Sequence, residues 1–188
     1  MTLHKPTTEY IRNRLKETHG KDRYFGADPA VRRVFDQWPE NREHAEVLAK
    51  VTVLNALYAT RIMNVYPVVD RILELKIDRR LRAGDETLVG DVAKVKLGRK
   101  HRILLSFATK YCAWHQPEEY QIFDANVEWI IWEYRKRYGF ADYRRYAIRD
   151  YPTFARLISE FRDFFGLKQF TRKQIDKFLW IERRQVQI

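Results

Sequence analysis

Apolar side chains along this chain recur mostly three or four positions apart, a spacing that places them on one face of an α-helix. The longest such stripe predicts a largely buried helix over residues 41–63. Its members are Val47, Val51, Leu54, Tyr58 and Ile62. We see no convincing alternation of apolar and polar residues, which would predict a half-buried strand. The pattern therefore predicts an all-α fold.

The same period marks further helices, so the expected architecture is a compact bundle of about nine helices. The others are predicted at 7–17, 28–38, 68–75, 85–94, 103–112, 124–138, 152–165 and 171–180, with connections at 79–84 and 114–121. Local signals mark some helix starts: Asp28 precedes Pro29 as an N-cap would, Asp124 opens a helix, and Thr171 with Gln174 forms a capping box.

The composition fits one folded domain over residues 1–188. Hydrophobic residues make up 45% of the chain and aromatic residues 14%, which is too apolar for a disordered chain despite 32% charged residues. An alternative arrangement has a central block at 41–138 and a packing lobe formed by 1–40 and 139–188. No break in composition decides between the two.

The chain is strongly basic, with 36 lysines and arginines against 25 acidic residues and a formal net charge of +11. No acidic residue occurs between Val92 and Pro117, where six of the basic residues fall. They are Lys94, Lys96, Arg99, Lys100, Arg102 and Lys110. Such a stretch favours a phosphate-bearing partner. Nucleic acid, with duplex DNA first, is the predicted partner, and a soluble protein that happens to be basic is the alternative.

Other classes of protein are disfavoured by what the sequence lacks. The single cysteine, Cys112, excludes an internal disulfide and lies in an apolar run where a buried role is expected. His101 and His115 show no metal-ligand spacing, so neither a metal nor a cofactor is predicted. No run reaches the roughly 18–20 apolar residues of a membrane span, and the N-terminus lacks the apolar core of a signal peptide. We expect a cytoplasmic protein without a membrane partner, and a monomer.

Two segments with a chemical signature flank the predicted helix at 103–112. The first, residues 94–100, is a short break that contains a glycine and ends in Lys100. The second, residues 120–127, is an apolar segment that carries Asp124 at the next helix start. In this order the segments resemble those of the helix-hairpin-helix DNA glycosylase superfamily, where a hairpin ending in lysine leads into a buried helix and an aspartate segment follows.

The resemblance covers about residues 51–131 and implies a helix-hairpin-helix-like element at about 85–112. Val95 and Lys96 stand where the family's hairpin has proline and its first glycine, so the chain would be a divergent member. Residues 51–73 resemble the helix-loop-helix that fills the gap left by a flipped base.

By this resemblance the protein would flip a modified or damaged base out of DNA and cleave its bond to the sugar. Asp124 would be the catalytic carboxylate, since base expulsion leaves positive charge on the sugar, and Lys100 a possible Schiff-base nucleophile. Tyr58, Trp114 or Tyr120 would stack on the base. The residues expected to contact nucleic acid are Tyr58, Arg61, Lys94, Lys96, Arg99 and Arg102.

Each of these assignments has a structural alternative. Asp124 at a helix start could be an N-cap worth about 1 kcal/mol, and Lys100 could contact phosphate or solvent. Tyr58, like Tyr111, could belong to the core. A non-enzymatic nucleic-acid-binding protein on the same scaffold is the rival hypothesis, and a sealed Asp124 cap with no cavity beside it would favour that rival. The base, the choice of DNA or RNA, and the role of the helix near 171–182 stay open.

Overall fold

The computed structural model describes residues 3–17 and 26–186, and this part of the chain has the all-α fold that the sequence predicts. It contains ten α-helices, one 3-10 turn and a two-stranded hairpin. In chain order the elements are α1 (Thr8–Glu17), α2 (Asp28–Gln37), α3 (His44–Leu57), α4 (Tyr66–Leu75), α5 (Asp78–Arg82), α6 (Thr87–Ala93), β1 (Lys94–Leu97), β2 (Lys100–Ile103), α7 (Leu105–His115), α8 (Ala125–Tyr138), the 3-10 turn (Arg145–Arg149), α9 (Tyr151–Phe164) and α10 (Arg172–Gln185). None of the described helices is long and apolar enough to cross a bilayer.

Helix α7 lies at the centre of a continuous apolar core that runs from Leu3 to Leu179. Every residue of α7 from Phe107 to Trp114 is buried, including Cys112, as the sequence predicts. A helix buried on all sides needs neighbours all round it, and α2, α3 and α6 pack against α7. Each large apolar side chain buried in this way stabilises the fold by about 1.5–3 kcal/mol. The C-terminal end of α7 carries Trp114 to the candidate site.

Helix α3 is shorter than predicted, because it ends at Leu57 rather than near residue 63. The side chain of Asn55 replaces the next helical turn. Its amide donates to the carbonyl oxygen of Ile62 at 2.8 Å and accepts from the Ile62 N–H at 2.9 Å. Ile62 thus stays buried, as its place in the stripe suggests, but it reaches the core from a loop.

The prediction that the chain has no strands is wrong at residues 94–103. β1 and β2 form an antiparallel hairpin in which Lys94 lies opposite Ile103 and Leu97 opposite Lys100. The chain turns between the strands at Gly98, whose φ of 62° favours glycine. The expected helix-hairpin-helix-like element is therefore a helix, a β-hairpin and a helix. Only Val95 of the hairpin is buried, so the strand pattern is too short to stand out from the helical period around it.

Two local predictions near the ends of α2 and α5 are also wrong. Asp28 is the first residue of α2 rather than its N-cap, which is Ala27, and its carboxylate binds side chains from other elements. The connection expected at 79–84 contains the short helix α5, held by the buried side chain of Leu81. The predicted helix start at Asp124, which is the N-cap of α8, and the capping box at the start of α10 are confirmed.

A buried polar network ties α3 to α7. The Lys50 ammonium, fully buried, donates to the carbonyl oxygens of Trp38 at 2.9 Å and Glu40 at 2.6 Å and to Asn41 Oδ1 at 2.8 Å. The Tyr111 hydroxyl donates to the same Asn41 oxygen at 2.5 Å, which confirms Tyr111 as a core residue. Burial lowers the pKa of Lys50 to about 8.

Candidate functional site

A pocket lies where α2, α7 and α10 meet, beside the first residue after α3. Its cavity volume is about 40 Å³, and it opens to solvent on one side. Three aromatic side chains and several charged ones line it. They are Tyr58, Trp114 and Tyr120, and Asp28, Arg32, Arg172, Lys173, Asp176 and Lys177. The structure thus brings together all three aromatic residues that the sequence analysis proposes for stacking on a base.

Trp114 forms a wall of the pocket and is held between cations. The Arg32 guanidinium carbon lies 4.9 Å and the Lys173 ammonium nitrogen 4.4 Å from the centre of its ring system. Such contacts stabilise a cation by about 0.5–2 kcal/mol. The Trp114 side chain is almost fully buried, yet its indole N–H has no hydrogen-bond partner among the described residues.

Two carboxylates line the pocket, in different states of pairing. The Asp28 carboxylate accepts a hydrogen bond from the Tyr58 hydroxyl and forms an ion pair with the Lys173 ammonium at 2.8 Å. Asp176, from the second turn of the described α10, has neither a hydrogen-bond nor an ion-pair partner in the described chain. Burial, and next the charge of Asp124, raises the pKa of the Asp176 carboxyl to about 8. Asp28 is therefore held by two partners, whereas Asp176 has none in the described chain and is largely neutral at pH 7.

Asp124 caps α8. Its Oδ1 atom accepts from the N–H groups of Asn126 at 2.9 Å and Val127 at 3.0 Å, and Oδ2 lies 3.7 Å from the ammonium of Lys110. Asp124 does not line the pocket. Its charge nevertheless contributes to the raised pKa of Asp176, which is part of the pocket lining. Asp124, to which the sequence analysis assigns a catalytic role, thus has the geometry of an N-cap, the structural alternative. Its carboxylate is also near enough to Asp176 for its charge to act on that residue.

Lys100 and the other hairpin cations lie elsewhere on the protein. All are exposed, none lines the aromatic pocket, and none forms an ion pair within the part of the chain that the structure describes. These cations are Lys94, Lys96, Arg99, Lys100 and Arg102. Lys94, Lys96 and His101 border a second groove against α4. The hairpin therefore presents unpaired positive charge to solvent.

The loop at residues 58–65 connects the pocket to α4. Tyr58 at its start lines the pocket, whereas Arg61 and Met63 point into solvent, Met63 with its whole surface exposed. Ala59 and Arg61 have φ values of 47° and 57°, which side-chain-bearing residues adopt only when the surroundings impose them. Asn55 imposes them by binding Ile62 from both sides, as described above, and by accepting from the Thr60 hydroxyl.

Sequence analysis missed five charged residues that line the pocket from α2 and α10: Arg32, Arg172, Lys173, Asp176 and Lys177. Those of α10 belong to a helix to which no role was assigned. One signal was available, because Asp176 stands between Ile175 and Phe178, two positions of the buried stripe. An acid so close to an apolar face is a candidate for a raised pKa.

No three histidine, cysteine or acidic side chains converge as metal ligands within residues 3–17 and 26–186. His115 instead contacts Asn41 Oδ1 through Nε2 at 3.1 Å. Burial, followed by the charges of Lys50 and Arg32, lowers the pKa of His115 to about 3. His115 is thus a neutral core residue at physiological pH.

Comparison with known proteins gives a relative and a family. An uncharacterized protein of Haemophilus influenzae is 31% identical over 141 residues, which cover 74% of this chain and 67% of that protein. No solved structure matches the chain. The family described as HI_0787_N, N-terminal domain, matches residues 7–119, a span that includes the hairpin and α7 and ends before α8. Since this match covers more than half of the chain, the protein belongs to the HI_0787_N family of N-terminal domains.

Proposed function

We propose that this protein binds duplex DNA, extrudes a modified or damaged base into the aromatic pocket and cleaves the bond between that base and its sugar. The observation that carries the proposal is the pocket itself, in which Tyr58, Trp114 and Tyr120 meet two carboxylates and several cations. Enzymes that act on a base in a duplex must take it out of the stack and hold it between aromatic or apolar side chains. A pocket of this composition suits a planar, polar ring.

The exposed hairpin and the loop at 58–65 support DNA as the partner. The hairpin carries five exposed lysines and arginines without ion-pair partners in the described chain, and the chain as a whole has a net charge of +11. The loop at 58–65 leads from the pocket and exposes Met63 beside Arg61. Proteins that unstack DNA insert such apolar side chains between bases and contact phosphates with cations.

Asp124 is the carboxylate that we propose for charge stabilisation. Cleavage of the bond to the base develops positive charge on the sugar, and a carboxylate in fixed orientation stabilises that charge. The N–H groups of Asn126 and Val127 fix Oδ1 and leave Oδ2 beside Lys110. Lys100 is exposed on the hairpin, so its position favours contact with a phosphate over attack on a sugar in the pocket.

The second candidate is a nucleic-acid-binding protein without catalytic activity. One specific observation favours it: both amides at the start of α8 donate to Asp124, which is the whole of an N-cap's structural role. In that case the pocket would hold an unstacked base and release it intact.

Incubation with duplexes that each carry one modified base distinguishes the two candidates. We expect abasic sites from at least one duplex, loss of cleavage in Asp124→Asn, and unchanged affinity of that variant in fluorescence anisotropy. Tight, salt-sensitive binding without abasic sites from any duplex would favour the second candidate. Loss of all duplex binding at low salt would contradict both.

Borohydride trapping tests the role of Lys100 separately. We expect no covalent adduct between the protein and cleaved DNA, because Lys100 is exposed on the hairpin and the lysine that faces Asp124 is Lys110. An adduct that disappears in Lys100→Arg but not in Lys96→Arg would restore Lys100 as the nucleophile.

A further inference from the structure

Asp176 is a carboxyl group in the pocket wall for which the protein supplies no hydrogen-bond partner in the described chain. Helix α10 fixes its position, because Ile175, Phe178 and Leu179 of the same helix are fully buried in the core. Asp176 itself is only partly buried and lines the pocket. A polar group held rigidly at a pocket wall without a partner is available to a ligand.

The charged groups around Asp176 come from four elements and are already engaged with one another. Lys173 pairs with Asp28 at 2.8 Å, and Lys110 donates to Ser106 Oγ at 2.8 Å while it faces Asp124 at 3.7 Å. Asp124 and Asp28 disfavour a negative charge on Asp176, and Lys110 and Lys173 favour one. Burial adds to the effect of the two acids, so the proton stays on Asp176 up to a pKa of about 8.

A protonated carboxyl group is a hydrogen-bond donor, and that of Asp176 has no acceptor among the described residues. A bound ligand that supplies an acceptor atom would satisfy this donor.

We propose that Asp176, as a neutral carboxylic acid in the pocket wall, donates a hydrogen bond to a ring nitrogen or carbonyl oxygen of the bound base. Asp176 thereby selects purine or pyrimidine rings with an acceptor on the edge that enters first, and rejects rings of the same shape without one. The inference rests on the proposed function, because it takes a nucleobase as the ligand of this pocket.

9-Methylpurine and 1-methylindole, called purine and indole below, make a matched pair of probes. Both are flat bicyclic rings, only the purine carries ring nitrogens that accept, and the methyl group replaces the ring N–H that would otherwise titrate in the same pH range. We expect purine to bind the full chain at pH 6.5 in a calorimetric titration, and indole to bind at least tenfold more weakly. The purine affinity should fall about thirtyfold between pH 6.5 and 9.5, because a carboxyl of pKa about 8 loses its proton across that range.

Two variants separate hydrogen bonding from shape. Asp176→Asn keeps a donor at every pH, so it should bind purine at both pH values with no pH dependence. Asp176→Ala should bind purine weakly at both. Asp142→Asn, which changes a fully exposed acid, is the matched control and should behave as the unaltered protein does. Circular dichroism spectra confirm that each variant is folded.

A carbon-13 NMR titration of labelled aspartate carboxyls reads the proton on Asp176 without any ligand. The signal that is missing from Asp176→Asn should titrate near pH 8. Titration near pH 4, equal purine affinity at pH 6.5 and 9.5, or equal affinity for purine and indole would each overturn the inference.

Duplex binding by anisotropy is scored separately: if it is lost while purine binding persists, the proposed function fails and the role of Asp176 stands. If duplex binding persists and purine does not bind, the proposed role of Asp176 fails and the proposed function stands.

Discussion

At Asp124 a structural role and a proposed chemical role fall on one carboxylate, and substitutions can separate them. Asparagine caps a helix about as well as aspartate, whereas alanine costs about 0.5–2 kcal/mol. We expect Asp124→Ala to lower the free energy of unfolding by about 1 kcal/mol and Asp124→Asn to change it by a few tenths, as measured by urea denaturation. Both variants should lose cleavage. Equal stability of the two would mean that the hydrogen bonds from Asn126 and Val127 do not hold the start of α8.

The buried ammonium group of Lys50 depends on hydrogen-bond acceptors that replace water around it. Three oxygen acceptors surround its ammonium group, and Lys50→Met would leave all three without that donor. We expect this variant to be less stable by about 3 kcal/mol, the usual cost of breaking a buried charged interaction. Lys136→Met on the exposed side of α8 is the control, with an expected change below about 0.5 kcal/mol. Thermal unfolding of both variants provides the measurement, and similar melting temperatures would refute the prediction.

At the scale of elements, the hairpin tests the proposed phosphate contacts. The triple variant Lys96→Ala, Lys100→Ala, Arg102→Ala removes three exposed charges that have no ion-pair partner in the described chain. If each contacts a phosphate, the slope of the logarithm of affinity against the logarithm of salt concentration should become shallower by about 2.7. Anisotropy titrations between 50 and 200 mM salt, roughly the range over which such slopes are measured, give this number.

A matched triple variant on the exposed surfaces of α8 and α9 controls for net charge. Lys136, Arg137 and Arg156 lie on these helices, are exposed and lie outside the hairpin. Their replacement by alanine should leave the salt slope nearly unchanged. Equal effects of the two triple variants would show that binding follows overall charge rather than the hairpin.

The elements also show which features a sequence can predict. Stripes at helical spacing and the capping box at Thr171 depend on neighbours along the chain, and these predictions are confirmed. The end of α3 depends on Asn55 reaching seven residues ahead to Ile62, which no helical period encodes. The strand β1 has one fully buried side chain, Val95, so its alternation is too short to be distinguished. The error at the end of α3 thus comes from the contact of one polar side chain, and the error at β1 from a strand too short to show its period.

At the scale of the whole molecule, the pocket joins segments that lie far apart in the chain. Asp28, Tyr58, Trp114 and Asp176 come from four separate parts of it. Sequence analysis found the aromatic half, because Trp114 and Tyr120 flank the segment that it singled out. It did not find the partners of Asp28 or the proton on Asp176, since both depend on how α2 and α10 pack against α7. The chemistry of the site is thus a property of the assembled fold.

The proton on Asp176 should also be visible in the stability of the whole molecule. Its carboxyl has a pKa of about 8 in the folded state against an ordinary value of 3.8, so between these values this group carries a proton in the folded state and none in the unfolded chain. The stabilising contribution is complete below pH 3.8 and is lost as the pH rises through 8. His115 opposes this trend, but only below its ordinary pKa of 6.5, and Lys50 opposes it only above about 8. From pH 6.5 to 8 we therefore expect the free energy of unfolding to fall relative to Asp176→Asn, by at most about 1.4 kcal/mol per pH unit. Urea denaturation of the two proteins at several pH values measures this difference. If the two free energies of unfolding change in parallel from pH 6.5 to 8, Asp176 holds no proton in the folded state over that range.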